Sequence, residues 1–285
     1  MLSLHTNNAA LSAQNSISRT QTALSTSMTR LSTGYRINSS ADDAAGLQIA
    51  SRLKAQTSGM AVAMRNTQNA SSMLQTADGA LDEVSNMLVR MKDLATQAAD
   101  SSSSAADQTA MQSEYDALGK ELNNVLNNTS FGGNKLLVGG TTGNAAMTFQ
   151  IGASSTEQMS VDVSTGVQGV DTAVGGATAA YGGAAGTELT AAGGATTAIG
   201  KLTTALDKVN AVRSDLGASI NRLGHVYNNL SNVSTNTKAA TGLITDVDFA
   251  SESSNMTSSQ MLLQAGTAML KQTNSTSSMV MSLLQ

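Results

Sequence analysis

Two adjacent carboxylates, Asp42 and Asp43, most invite a chemical reading. A pair of acids can share general-acid and general-base work, or hold a divalent cation when His or Cys completes the set. Nothing nearby completes it: the only histidines are His5 and His225, and the chain has no cysteine. No HExxH run is present to carry zinc-peptidase chemistry. The glycine pairs Gly132–Gly133, Gly175–Gly176 and Gly182–Gly183 are not followed by the Lys-Ser or Lys-Thr of a phosphate loop, and they read as turns. No nucleophile–base pair can be picked out. The sequence therefore reads as a protein that is not an enzyme, with no cofactor and no metal. Asp42 and Asp43 read instead as helix-start residues, where negative charge meets the positive end of the helix dipole.

The elements that would position such residues are long helices. The 285 residues include no Pro, Cys or Trp, although average usage of about 5% would give roughly 14 prolines. Without proline nothing interrupts the helical hydrogen-bond ladder. Aromatics are 2% of the chain, so any core must come from Leu, Ile, Val, Met and Ala. A net charge of −4 argues against a phosphate-binding face and hence against nucleic acid. No run of 18 apolar residues is present to span a membrane. The opening MLSLHTNNAA lacks the basic and apolar regions of a cleaved leader.

Along the chain, Ala70, Leu74, Ala77, Leu81, Val84, Leu88, Met91, Ala95 and Ala98 step by fours and threes, a coiled-coil seam. A second seam runs Leu202, Ala205, Val209, Val212, Leu216, Ser219, Leu223, Val226, Leu230, Val233, and a shorter one Met111, Tyr115, Leu118, Leu122, Val125. Met147, Phe149 and Ile151 alternate with polar residues, as do Met159, Val161 and Val163, which predicts a β-hairpin. SFGGN at 130–134 marks the break from helix to sheet. Residues 165–200 are almost all Gly, Ala, Thr and Val, too poor in large apolar side chains for a core of their own, and read as a loop or small surface-facing module. Both ends carry narrow stripes: Ala10, Ile17, Leu24 and Leu31 near the start, with Met28 and Tyr35 at the adjoining seam position, and Met256, Leu263, Leu270 and Leu284 near the end, with Ser277 filling the gap. Helices with so thin a stripe are marginal alone. Ile17, Leu24, Leu31, Leu263, Leu270 and Leu284 are thus expected to form an assembly seam that orders against partners. The predicted fold is mainly α, an elongated antiparallel coiled-coil bundle with a small β-hairpin region.

One run is far more specific than these patterns. RLSTGYRINSSADDAAGLQIASRLKA at 30–55 ends a helix at Gly34, offers Ser39 or Ser40 as a cap, and sets Ser40 and Asp43 at capping-box spacing. It closely resembles bacterial flagellin at the join between inner and outer helical domains. NTQNASSMLQTADGALDEVSNMLVRMKDLATQAA at 66–99, VRSDLGASINRL at 212–223 and SSNMTSSQMLLQAGTAMLKQTNSTSSMVMSLLQ at 253–285 resemble the same family in the same order. The resemblance implies a filament subunit for motility that polymerises on itself by folding of its terminal helices. It implies passage through the flagellar export apparatus to the cell exterior without a cleaved leader, a flagellin-specific chaperone at the C-terminal helix, and contact with hook-associated junction and cap proteins. It also implies an inner, channel-lining domain of residues 1–44 with 247–285 and an outer rod of 45–165 with 200–246. Residues 166–199 would be a short Gly/Ala/Thr-rich surface segment where larger relatives insert globular domains. Arg90, Leu94 and Glu114 match positions by which some flagellins engage a host Toll-like receptor. Beside the Leu88–Met91 seam, Arg90 and Leu94 are expected to face outward or toward a neighbour. A hook–filament junction protein and an adhesin or signalling ligand are the competing readings.

Overall fold

The computed structural model describes residues 7–282. Helix α1 (Asn8–Thr33) starts at Asn7, whose side chain accepts from the Ala10 amide at 3.1 Å. It stops at Gly34, whose φ of 77° is the left-handed conformation that a Cβ disfavours. Helices α2 (Ala44–Ala98) and α6 (Gly194–Thr245) run 55 and 52 residues, lengths that the absence of proline permits. Between them lie α3 (Ala105–Asn128), β1 (Ser130–Phe131), β2 (Asn134–Lys135), α4 (Thr141–Asn144), β3 (Met147–Gln150), β4 (Gln158–Val161), α5 (Ser164–Ala177) and a 3-10 turn at Ala179–Gly182. Helix α7 (Phe249–Ser282) closes the described chain.

The fold is mainly α with two small antiparallel strand pairs. β3 pairs with β4 in the register Met147–Val161 and Phe149–Met159, the hairpin expected from alternation. SFGGN makes a second, smaller hairpin rather than a simple break: β1 pairs with β2 around Gly132 and Gly133, whose φ values of 59° and 85° suit a type I′ turn. Ser104 starts α3 with a reciprocal cap, its hydroxyl accepting from the Asp107 amide and its amide donating to the Asp107 carboxylate.

The chain divides into two compact units, residues 57–234 and residues 1–56 with 235–285. In the first, all nine seam residues from Ala70 to Ala98 are at most 3% exposed, and Leu202 to Leu216 are equally buried. Arg213 of α6 reaches Asp78 at 3.1 Å and Asp82 at 2.8 Å on α2. The second seam frays at its end, where Val233 is 38% exposed and Ser234 is buried in its place. Tyr115 of α3 is fully buried and its hydroxyl donates to the Ala177 carbonyl at 2.9 Å.

The segment 166–199 departs from the expected surface module. Val167, Val170, Val174 and Ala177 line one side of α5 and are buried in the same core as α2, α3 and α6, as is Leu189. Their spacing is helical; the intervening Gly, Ala and Thr conceal the stripe from a composition-based reading. The segment adds a face to an existing core instead of building its own.

In the second unit α1 and α7 pack together. Three contacts set the direction: Asn7 donates to the Thr273 carbonyl, Ile17 lies against Gly266, and Ser27 bonds Glu252. Positions fall along α7 as they rise along α1, so the pair is antiparallel. An added Cβ on Gly266 would come within 2.9 Å of Ile17 Cγ1, so glycine is what lets the backbones approach there.

Candidate assembly interface

The α1–α7 contact follows the same four-three stepping as the rod. Ala10, Ala13, Ile17, Thr20, Leu24, Ser27 and Leu31 turn inward on α1, and Glu252, Met256, Ser259, Leu263, Gly266, Leu270 and Thr273 on α7. Only Leu24, Ser27 and Glu252 of these are buried; the others are half-buried. The seven-residue spacing finds Ala10, Ile17, Leu24, Leu31, Met256, Leu263 and Leu270 but passes over the intervening positions, where Ala, Thr, Ser, Gly or Glu sits. Met28 and Tyr35, expected at the adjoining seam position, are exposed, because the intervening seam position falls one residue earlier, at Ser27 and Gly34. Leu284 lies outside the described residues, as does His5.

The buried position opposite Ser27 is an acid. Ser27 Oγ donates to Glu252 Oε1 at 2.5 Å, and Arg30 Nη1 stands 3.7 Å from Glu252 Oε2. Arg30 Nε is buried without an acceptor. A charge placed there is tolerated only while its partners remain, so the cluster favours one alignment of α1 on α7.

At the join, residues 34–36 run beside the start of the α6–α7 link. The Arg36 amide donates to the Thr245 carbonyl at 2.7 Å and the Val247 amide to the Gly34 carbonyl at 3.0 Å. The Arg36 guanidinium donates to the Ile244 carbonyl at 2.7 Å, satisfying a carbonyl that the end of α6 leaves open. The two acids that opened the sequence reading have separate duties here. Asp42 Oδ2 accepts from the Ser39 and Asn38 amides and the Ser39 hydroxyl. Those bonds, the Ser39 amide foremost, hold its carboxyl below the ordinary range. Asp43, not Ser39 or Ser40, starts α2: its Oδ1 accepts from the Gly46 amide at 2.8 Å. The expected Ser40–Asp43 box does not form, because α2 begins after Asp43 and an N-cap precedes its helix by one residue. Asp248 starts α7 in the same way, accepting from Ser251 Oγ and the Ala250 amide, the first of which contributes most to lowering its pKa.

Outside these contacts the surface of the terminal unit is mostly Ser, Thr, Asn and Gln, interrupted by large apolar side chains. Leu11, Met28, Tyr35, Ile49, Leu243, Phe249, Met261, Leu262 and Met269 all stand exposed here, whereas only Val62, Val89, Tyr227 and Val233 do so in the other unit. Leu262 and Met269, seven residues apart, share one side of α7, and Leu11 stands away from the seam on α1. Exposed apolar residues concentrated on one region mark an interaction surface. The sequence signal was present in residues such as Met261, Leu262 and Met269, but it falls off the seven-residue stripe.

On α2 and α3 the receptor-matching residues separate. Arg90 Nε and Nη2 lie 2.8 and 2.7 Å from Glu114 Oε1, both side chains about half exposed. Leu94 does not face outward: it is 3% exposed and belongs to the core, because three residues beyond Met91 brings it back to the buried side.

The flagellin N-terminal helical region model matches residues 4–142 and the flagellin C-terminal helical region model residues 199–284. The chain belongs to the bacterial flagellin family. It is 38% identical to flagellin C of Vibrio cholerae serotype O1 over 162 residues, 57% of this chain and 42% of that protein. It is 38% identical to polar flagellin F of Vibrio parahaemolyticus over 164 residues, 58% of this chain and 43% of that one. The matched part thus spans about two fifths of these relatives' length. Among solved structures, Bacillus cereus flagellin is 33% identical, with 62% of this chain and 94% of that one covered and a TM-score of 0.49. A protein described as flagellar hook-associated from Vibrio parahaemolyticus is 16% identical over 72% of this chain and 99% of its own, with a TM-score of 0.55, a likeness of fold.

Proposed function

We propose that the chain is a structural subunit of the bacterial flagellar filament, outside the cell, and that its terminal helices complete their folding against neighbouring copies. The observation that carries this is the imbalance of the terminal unit: a half-polar seam inside, and nine large apolar side chains facing solvent. Ordering long helices costs backbone and side-chain entropy that so thin a seam offsets poorly, and burial of the outer residues against other copies supplies the remainder. Residues 1–44 with 247–285 would form the inner, channel-lining domain and residues 45–165 with 200–246 the outer rod, the segment 166–199 being the place where larger relatives insert globular domains. Passage through the flagellar export apparatus, a chaperone on α7, and contact with junction and cap proteins belong to the same reading. Among the described residues no helix is long and apolar enough to cross a membrane.

Protease protection on monomer and polymer tests it, with cleavage sites located by mass spectrometry. The ends are expected to be cut rapidly in the monomer and protected in the polymer. Ends that resist in the monomer, with no polymer seeded, would overturn it. A deletion strain separates the junction reading: hooks without filaments support a filament subunit, whereas filament protein shed into the medium supports a junction protein. For the Toll-like receptor, the accessible surface reduces to the Arg90–Glu114 pair, and Arg90→Ala in a monomer reporter assay tests it.

A further inference from the structure

The methionines are distributed unevenly with respect to solvent. Eight lie in the unit 57–234 and none of them is exposed; Met60, Met91, Met111, Met147 and Met159 are buried. In the terminal unit Met28 is 55% exposed, Met261 59% and Met269 63%, and all three lie off the α1–α7 seam. They are also a third of the exposed apolar set that the assembly reading buries. A thioether is soft and apolar enough to pack like leucine, yet it accepts oxygen readily wherever it meets solvent.

We propose that oxidation at three separate exposed positions, Met28, Met261 and Met269, gates polymerisation: in the unassembled chain a two-electron oxidant of the peroxide class converts them to sulfoxides, and the sulfoxide chain no longer assembles. In the step, the thioether sulfur attacks one oxygen of hydrogen peroxide and the O–O bond breaks. The other oxygen leaves as water with both protons. Sulfur loses two electrons and peroxide gains them, so no further reagent is needed. The product bears a strong hydrogen-bond acceptor where the assembled state needs an apolar surface, and burying it without a donor is unfavourable. Once copies have packed, the same sulfurs are covered, so the three positions are open only before assembly. This inference rests on the filament reading for its consequence but not for its chemistry.

The test uses the full chain as monomer and as polymer, exposed to hydrogen peroxide and sampled over time by peptide mapping. In the monomer, sulfoxide is expected at Met28, Met261 and Met269 roughly tenfold faster than at Met60, Met91 and Met159, following exposure. In the polymer the three should fall to the rate of the buried ones. Oxidised monomer should elongate seeds at least several-fold more slowly. The two epimer-specific methionine sulfoxide reductases together, supplied with a dithiol that is oxidised to its disulfide as the sulfoxide oxygen leaves as water, should restore it. The triple variant Met28→Leu, Met261→Leu, Met269→Leu should elongate after peroxide as it does before. Equal oxidation rates at exposed and buried methionines would overturn the selective oxidation. A triple variant that loses elongation to peroxide as the parent does would overturn the gate. Where that variant assembles poorly, failure of the reductases to rescue the oxidised parent decides against the gate in its place. If untreated parent never polymerises, the filament reading and the gate fall, while the oxidation order in the monomer still decides the selective oxidation.

Discussion

The two units use one spacing rule to opposite ends. In residues 57–234 the positions stepping by fours and threes are Leu, Val, Met and Ala at close to zero exposure, and a third and fourth helical face from α3 and α5 close over them. In the terminal unit the same steps bring Thr20, Ser27, Ser259 and Glu252 inward, and Met28, Met261, Leu262 and Met269 remain outside. Periodicity decides which residues face a partner helix, whereas residue type decides whether that contact suffices. The rod unit satisfies itself and the terminal unit does not, the imbalance on which the proposed assembly rests.

The sharpest way to break this comparison is to truncate equivalent leucines. Leu81→Ala in the rod core should lower stability by about 2–5 kcal/mol in denaturant unfolding, the range for a leucine removed from a closed interior. Leu24→Ala, flanked in its seam by Thr20 and Ser27 and closed by no third helix, should cost less, about 2 kcal/mol, the lower end of that range. Hydrogen exchange should place the first loss in 57–234 and the second in the terminal helices. Equal losses would mean that both units are closed cores.

Glu252→Ala sharpens the terminal half. It strands Ser27 and leaves the already unsatisfied Arg30 without its carboxylate. A loss of about 2 kcal/mol is expected, confined to α1 and α7. The double variant with Ser27→Ala should cost less than the sum of the singles, since both remove one bond. Strict additivity would show that the cluster does not act as a unit.

Tyr115 probes the rod from the alkaline side. Burial chiefly, and then the charges of Glu188 and Asp116, raise its pKa above the ordinary 10.0. The folded state therefore keeps the proton that the unfolded state gives up. The stability so gained is present below pH 10 and lost as pH rises beyond it. Tyr181, raised by burial and by Asp171, acts in the same direction in the same unit. Protection in 57–234 should thus fall above pH 10. Tyr115→Phe should cost about 1 kcal/mol near neutrality, the worth of the bond to Ala177, while reducing that alkaline slope in part. A slope unchanged by the substitution would assign it elsewhere.

Much of this fold was legible in the order of residues. The Ala70–Ala98 seam, the second seam as far as Leu223, the 147–161 hairpin and the Gly34 stop all follow from spacing and from glycine's conformational freedom. In α3, by contrast, the buried line runs through Gly119 and Leu126 where the spacing expected Leu118 and Val125, which are half-buried. Three features were hidden for physical reasons. The α5 stripe is made of valines among glycines, whose composition resembles a flexible linker until an existing core is available to receive it. Asp43 carries the cap because α2 begins three residues later than a Ser40 cap would place it. The terminal seam alternates apolar with polar layers, so a seven-residue count recovers half of it and misses the Ser27–Glu252 pair. The exposed apolar set is the least legible, since Met261, Leu262 and Met269 fall between the positions that the α1–α7 seam repeats.

The smallest expected effect divides the receptor-matching residues. The Arg90–Glu114 pair has good distances, yet its side chains are 54% and 46% exposed, and such pairs contribute about 0.2–1 kcal/mol, less as salt rises. Arg90→Ala should therefore leave unfolding nearly unchanged, and any loss of signalling it causes in a monomer reporter assay would reflect lost contact. Leu94→Ala has the opposite character: it opens a void between α2 and the core and should behave like Leu81→Ala in kind. A signalling loss from it could come from unfolding alone. Arg90→Ala with full stability and unchanged signalling would remove the receptor reading, whereas a loss reproduced by Glu114→Ala at full stability would assign the contact to the ion pair's exposed face.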